Sequence, residues 1–428
     1  MNSEIYDYKL QSYLKGVIRE LPYENRQQLK SISLCNVQAM RVPQATPGIY
    51  LLQSKASHEA KIFGQMTCKN PFACPCCSAK MMTKYRAEIG ATIDAMKEKG
   101  YIGFMMTFTV AHLKFMSCRE TTDILYNTWS YVFANLRNKQ RSHGNREMRN
   151  FYQKFDIKHR VRVCEYTYSD ENGWHPHFHA IFWVKREHKD KILDWEDRLN
   201  NYWEKYAFIY TKKYWEKHNL HKEKFENYLN AIKNCYFKQK FTTAKALFIS
   251  RDKNGKLLEA ESAEYICGWG ANSELTGNRQ KTASHKGHYT PYEILQKASQ
   301  GDKHFKNLYI EFMLQITRKP VHHRVDYSQT GLKAITQTYK NTKGYKEFLQ
   351  TKKKLQRDWQ VIGFFSPEQW SKICLLNLEF PIISNLLYIV AYFSDDILHD
   401  YLKFYNIEIE NLKFIDEKYA ITCGIFGL

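Results

Sequence analysis

The chain has no long apolar run. Its most hydrophobic stretch, residues 380–393, is interrupted by Pro381, Ser384 and Asn385. It falls short of the roughly 20 residues that a bilayer-spanning helix needs and reads as a buried helix. Residues 1–23 mix charged and apolar side chains without the continuous apolar core of a signal peptide, so the expected location is the cytoplasm. No internal repeat or low-complexity tract is found, which excludes a repeat array. Acidic residues are also scarce: 44 Asp and Glu stand against 64 Lys and Arg, a formal charge of +20. A surplus of that size points to a polyanionic partner, nucleic acid first. What the chain does have is bulk, since 428 residues at 43% hydrophobic content suffice for two or three domains with ordinary cores. Thirty tyrosines and nine tryptophans supply flat rings, most of them core and the rest open to stacking on unpaired bases.

Eleven cysteines, an odd number with Cys68, Cys74, Cys76 and Cys77 close together, suggest thiolates for a metal rather than a disulfide framework. Cys74 and Cys77 form a C-x-x-C knuckle, whose turn lets two thiolates meet one tetrahedral ion at about 2.3 Å each. Nothing thioredoxin-like surrounds the pair. Cys68 is a third candidate ligand and Cys35 the choice for the fourth, with Cys76 or His58 in reserve, for a structural zinc ion.

The remaining signals alternate between strand and helix. Residues 101–110 are rich in β-branched and aromatic side chains and read as a strand. Leu125, Trp129, Val132, Phe133 and Leu136 follow at helical spacing, and residues 137–149 form a basic loop. Residues 161–168 make a second strand, joined through Asn172-Gly173, a tight-turn dipeptide, to a third over 174–184. On that third strand His177 and His179, two apart, project to the same face and can meet one ion. His175 shares their parity, although Pro176 disturbs the local backbone. Glu165, on the first arm of the hairpin, can face them if the register allows. Residues 189–233 read as helical with Trp195, Leu199 and Trp203 inward, 246–250 as a strand, 251–256 as its turn, and 257–267 as a helix ended by Gly268 and Gly270. Thr290, Pro291 and Glu293 have the pattern of a capped helix start. This order predicts an α+β fold, an antiparallel sheet with helices packed on one side. Residues 340–357 read as a linker or exposed helix and 361–428 as a small separate helical unit. The domains expected are an N-terminal region with the Cys-rich element over 1–100, a central domain over 101–300 and a helical C-terminal region over 301–428.

Glu261 and Tyr265, four apart on the helix expected at 257–267, point from one face. A tyrosine hydroxyl is a poor nucleophile at its free pKa of about 10 and needs an activated electrophile. A divalent ion held by His177, His179 and either Glu165 or His175 would activate a phosphodiester for attack by Tyr265. Glu261 could orient a water or accept a proton in a second cleavage.

Three blocks in this order, Phe104-Met105-Met106-Thr107-Phe108-Thr109-Val110-Ala111-His112, His175-Pro176-His177-Phe178-His179 and Glu261-Ser262-Ala263-Glu264-Tyr265, resemble the motifs of plasmid rolling-circle replication initiators in the HUH endonuclease superfamily. The Cys-rich block with Ala79-Lys80 and Arg86 resembles the same proteins, as do residues 290–295 and 327–333, so the likeness runs from about residue 35 to 335. The resemblance implies a ferredoxin-like nuclease domain in a bacterial protein that nicks single-stranded or hairpin origin DNA, with Mg²⁺ or Mn²⁺ as cofactor. It further implies a 5′-phosphotyrosyl intermediate on Tyr265, a free 3′-OH primer, and a host helicase and polymerase as further partners. His177 and His179 match the family's metal ligands, and Glu261 the acidic residue with which single-tyrosine members end replication. Two departures stand out: position 269 is Trp269 rather than a second tyrosine, and residues 266–269 lack the lysine that many relatives carry. Competing readings are an HUH transposase or relaxase, and a non-catalytic zinc-containing nucleic-acid-binding protein.

Overall fold

A computed structural model describes residues 3–38, 48–54, 59–133, 146–157, 159–237, 245–252, 254–259, 287–317, 325–327, 359–378, 380 and 382–407. The N-terminal part contains α1 (Ser3–Arg19), the short α2 (Tyr23–Gln28) and α3 (Lys30–Ser33), β1 (Ile49–Ser54), β2 (Ala60–Phe63) and α4 (Pro75–Glu98). Next come β3 (Tyr101–Thr109), α5 (Cys118–Val132), α6 (Arg146–Lys154), β4 (Arg160–Ser169), β5 (Gly173–Lys185), α7 (Glu196–His218), α8 (Phe225–Phe237) and β6 (Leu247–Ile249). The remainder supplies β7 (His288–Tyr289), α9 (Pro291–Ser299), α10 (Lys303–Ile316), β8 (Val325–Tyr327), β9 (Trp359–Phe365), α11 (Pro367–Leu376), α12 (Ile382–Tyr392) and α13 (Asp395–Phe404).

The larger sheet has the order β6-β3-β5-β4-β7, with β8 also on β4, and its pairings are antiparallel. The α+β expectation therefore holds, but the helices cover both faces of the sheet rather than one, because the strands carry apolar side chains on both. Strand alternation divides its residues between two faces. Phe108, Phe178 and Phe182 turn to one face and meet Trp129 of α5, Phe133 at its C-cap and Trp203 of α7 at ring separations of 4.9–6.1 Å. On the other face Val161, Val163, Ile181 and Trp183 pack against Ile89, Ile93 and Met96 of α4. The three histidines of β5 share that second face, further along the strand.

Helix starts follow their capping chemistry. Ser117 and Glu120 close a capping box on α5, and Thr290 with Glu293 does the same for α9, with Pro291 in its first turn. Gly173 has φ +78°, and a Cβ there would lie 3.0 Å from the Lys114 carbonyl oxygen, so the turn into β5 needs glycine.

Four further expectations change. Residues 146–149, expected as the end of a loop, instead open α6, because Met148 and Phe151, three apart, both reach the core. The helical stretch 189–233 is broken where Asn219 and His221 take left-handed φ values of 52° and 56°. Leu257 and Glu259, expected to open a helix, are extended and bridge Arg251 and Phe104. The C-terminal part is neither purely helical nor separate, since β9 pairs with β1 in a second sheet of order β2-β1-β9, and α12 packs on α1. Leu136, His58 and residues 340–357 lie outside the described residues. Among the described residues no helix is long and apolar enough to cross a membrane.

Candidate metal centres

Register decides what gathers around the histidine pair. Glu165 of β4 and Thr109 of β3 both lie directly opposite His177, while Thr107 lies opposite His179, so all share one face. Glu165 Oε2 is 3.4 Å from His177 Nε2 and 3.5 Å from His179 Nε2. Tetrahedral ligands at about 2.1 Å from an ion stand about 3.4 Å apart, so the spacing suits a single cation.

The orientation of the donors suits it too. His177 Nδ1 is 3.3 Å from the His175 carbonyl oxygen, which can only accept, so a proton held on that nitrogen would leave Nε2, which faces Glu165, free to bind an ion. The Thr107 hydroxyl is 2.8 Å from His179 Nδ1 and holds that ring in the same sense. Glu165 is buried, which by itself raises a carboxyl pKa, but the two imidazoles outweigh this and hold it well below the usual carboxylate range. Its second oxygen, Oε1, is buried without a hydrogen-bond partner. An anionic oxygen left in that state is costly, and a divalent ion would satisfy it.

His175 does not join this group. Its Nε2 is 2.7 Å from the Thr109 hydroxyl, and its ring stacks on His112 at 4.7 Å and 16°. Burial, followed by the neighbouring His112, pushes its pKa well below the imidazole value, so it stays neutral. The geometry thus groups Glu165, rather than His175, with the two histidines.

Cys35, Cys68, Cys74 and Cys77 form the second centre. Cys35 Sγ is 3.4 Å from Cys77 Sγ and 3.7 Å from Cys74 Sγ, and Cys68 Sγ is 3.5 Å from Cys77 Sγ. A tetrahedron with about 2.3 Å metal–sulfur bonds has edges of about 3.8 Å, so little movement is needed to seat a zinc ion. Hydrogen bonds from the other three thiols hold the Cys35 pKa well below the thiol value, favouring a thiolate there. Further donors stand around the sulfurs: Gln11 Nε2 to Cys74 Sγ at 3.1 Å and the Asn70 amide to Cys68 Sγ at 3.4 Å. Asn70 Oδ1 accepts from the amides of Phe72 and Ala73 and shapes the loop. Cys76 is buried outside the group.

Glu261 and Tyr265 lie outside the described residues, which end on that side at Glu259. Three residues without a role in the sequence reading surround the first centre: Thr107 on His179, and Thr109 and His112 on the neighbouring His175. The threonines' period-two spacing inside an apolar strand was the available signal, legible only once β3 is set beside β5.

The comparisons with known proteins add one likeness. The chain is 26% identical over 154 residues to "Protein rep" of Streptomyces lividans, a match that covers 32% of this chain and 33% of that protein. The chain thus spans about a third of the length of this curated relative. No family model matches the chain, and no solved structure matches it.

Proposed function

We propose that the chain initiates plasmid rolling-circle replication by nicking single-stranded or hairpin origin DNA through Tyr265. The observation that carries this reading is the convergence of Glu165, His177 and His179 on adjacent strands, with both imidazole Nε2 atoms within 3.5 Å of Glu165 Oε2 and the other carboxylate oxygen buried without a hydrogen-bond partner. The likeness to a protein named Rep supports it, as does the surplus of 20 positive charges. The connection β3-α5-β4-β5-α7-β6 with the order β6-β3-β5-β4 is in keeping with a ferredoxin-like nuclease domain, placed at about residues 101–300.

Glu165, His177 and His179 would hold Mg²⁺ or Mn²⁺, which when bound supplies positive charge to the non-bridging oxygens of the scissile phosphodiester. Tyr265 Oη attacks phosphorus, the bond from phosphorus to the 3′ oxygen breaks, and the proton given up by the phenol ends on that oxygen. The products are a 5′-phosphotyrosyl ester and a free 3′-OH primer. The ester keeps the energy of the broken linkage, so the strand can be rejoined. Glu261 accepts a proton from water in a second cleavage that ends the cycle. The four cysteines hold a structural zinc ion and take no part in the chemistry.

The test is incubation of the full chain with labelled single-stranded oligonucleotides and Mn²⁺, followed by a denaturing gel. A protein–DNA adduct is expected with the wild type and none with Tyr265→Phe. An adduct that persists in Tyr265→Phe removes the nucleophile, and cleavage indifferent to a chelator removes the metal. Single-stranded circles of a plasmid carrying the gene would separate replication from DNA mobilisation.

A further inference from the structure

Aromatic rings extend from the first metal centre as far as His112, and the nicking chemistry does not use them. His177 and His175 lie 5.0 Å apart between ring centres, and His175 stacks on His112. Three residues beyond His112 stands Phe115, 40% exposed. Among the described residues from 67 to 374 it is the one large apolar side chain that faces solvent to this extent.

Phe115 is fixed from below. Its ring stacks on Tyr228 at 4.0 Å and 29° and meets His221 edge-on at 4.8 Å. His221 is itself held: Nε2 lies 2.7 Å from Glu120 Oε1, and Trp215 crowds its ring at 4.9 Å. Its φ of 56° is one that a non-glycine residue adopts when its surroundings impose it. Lys114, Lys222 and Lys224 are exposed nearby, with Lys224 Nζ 6.0 Å from the centre of the Tyr228 ring. Residues 112–116 and 220–224 carry these three lysines against the single carboxylate of Glu223. The Lys114 backbone also lies against Gly173, two residues, or about 7 Å of strand, before His175.

An exposed ring on a rigid base, bordered by cations, is suited to an unpaired base and the phosphates on either side of it. We propose that Phe115, seated on Tyr228 and His221, is a stacking platform for one unpaired base of the single strand that reaches the Glu165–His177–His179 group. The course of that strand rests on the nicking reading. The excess of lysine around the ring favours a polynucleotide over a protein partner.

Fluorescence anisotropy with the full chain and labelled single-stranded oligonucleotides tests this, using Phe115→Ala, Phe115→Leu and Phe115→Trp. Alanine and leucine are expected to weaken binding about 5- to 100-fold, and tryptophan to retain it. The dependence of affinity on salt should not change, because the ring carries no charge. Leucine keeps an apolar side chain over Tyr228, so a folding defect in Phe115→Ala does not mask the result. An abasic nucleotide stepped along the oligonucleotide should weaken wild-type binding at one position and leave Phe115→Leu unaffected there. Wild-type affinity in Phe115→Leu, with adduct formation intact, overturns the platform alone, and so does an equal loss of affinity for duplex DNA. Absence of single-strand binding by the wild type overturns the nicking reading and the platform together.

Discussion

Thr107 and His179 sit directly opposite each other on β3 and β5, with the threonine hydroxyl 2.8 Å from imidazole Nδ1. That contact keeps Nε2 turned to Glu165, and loss of such an outer partner typically costs 10- to 100-fold in metal affinity. Thr107→Val should therefore raise the Mn²⁺ concentration for half-maximal adduct formation by about that factor, while Thr107→Ser stays close to wild type. Superimposable Mn²⁺ titrations for all three proteins would show that the hydroxyl does nothing for the ring.

The thiol group makes a stoichiometric prediction. The purified protein should contain about one zinc ion per chain. Cys74→Ser should lose it and unfold at a lower temperature, whereas Cys76→Ser should keep it, since Cys76 lies outside the group. Elemental analysis and thermal melts of both variants decide this.

Trp370 ties the C-terminal part to the four-cysteine element. It is buried, and its indole nitrogen donates to the carbonyl of Asn36, the residue after Cys35, at 2.9 Å. Trp370→Ala should cost about 3–5 kcal/mol of stability in urea unfolding. Zinc release to a chromogenic chelator should also be faster than in the wild type. Unchanged release would mean that the Cys35 segment is held by other contacts.

Alkaline pH should loosen the packing of α7 on α5. The Tyr214 hydroxyl donates to Asp123 Oδ2 at 3.1 Å, and burial, followed by that carboxylate, pushes its pKa up to about 12. In the unfolded chain the phenol ionises near 10. The raised folded value means that its stabilising contribution is complete below about pH 10 and is lost as pH rises toward 12. Urea midpoints measured from pH 8 to 12 should fall less steeply in Tyr214→Phe.

Much of the sheet was legible because its signals are local. The Asn172-Gly173 turn, the alternation along 174–184 and the spacing of Cys74 and Cys77 each occupy a few consecutive residues. What escaped depends on partners far away. The segment 359–365 is rich in β-branched and aromatic residues, yet nothing in it indicates pairing with residues 49–54. The charges of Arg146, Glu147, Arg149 and Lys154 obscure the two core residues of α6. Glu259 is held in an extended bridge to Phe104 and by ion pairs with Lys189 and Arg186, so tertiary contacts prevail over the helical pattern there. For the candidate site, the histidine pair could be read from parity alone. Choosing Glu165 over His175 required the register of β4 against β5.

The pairing of β1 with β9 bears on how the protein is made. Ribosomes elongate at about 5–20 residues per second, so the roughly 300 residues between these strands take on the order of 15–60 s to emerge. Throughout that interval one edge of β1 lacks the neighbour it has in the finished molecule. A nascent chain stalled before residue 359 would present that edge to other chains, giving premature termination a route to aggregates rather than to a shortened soluble product.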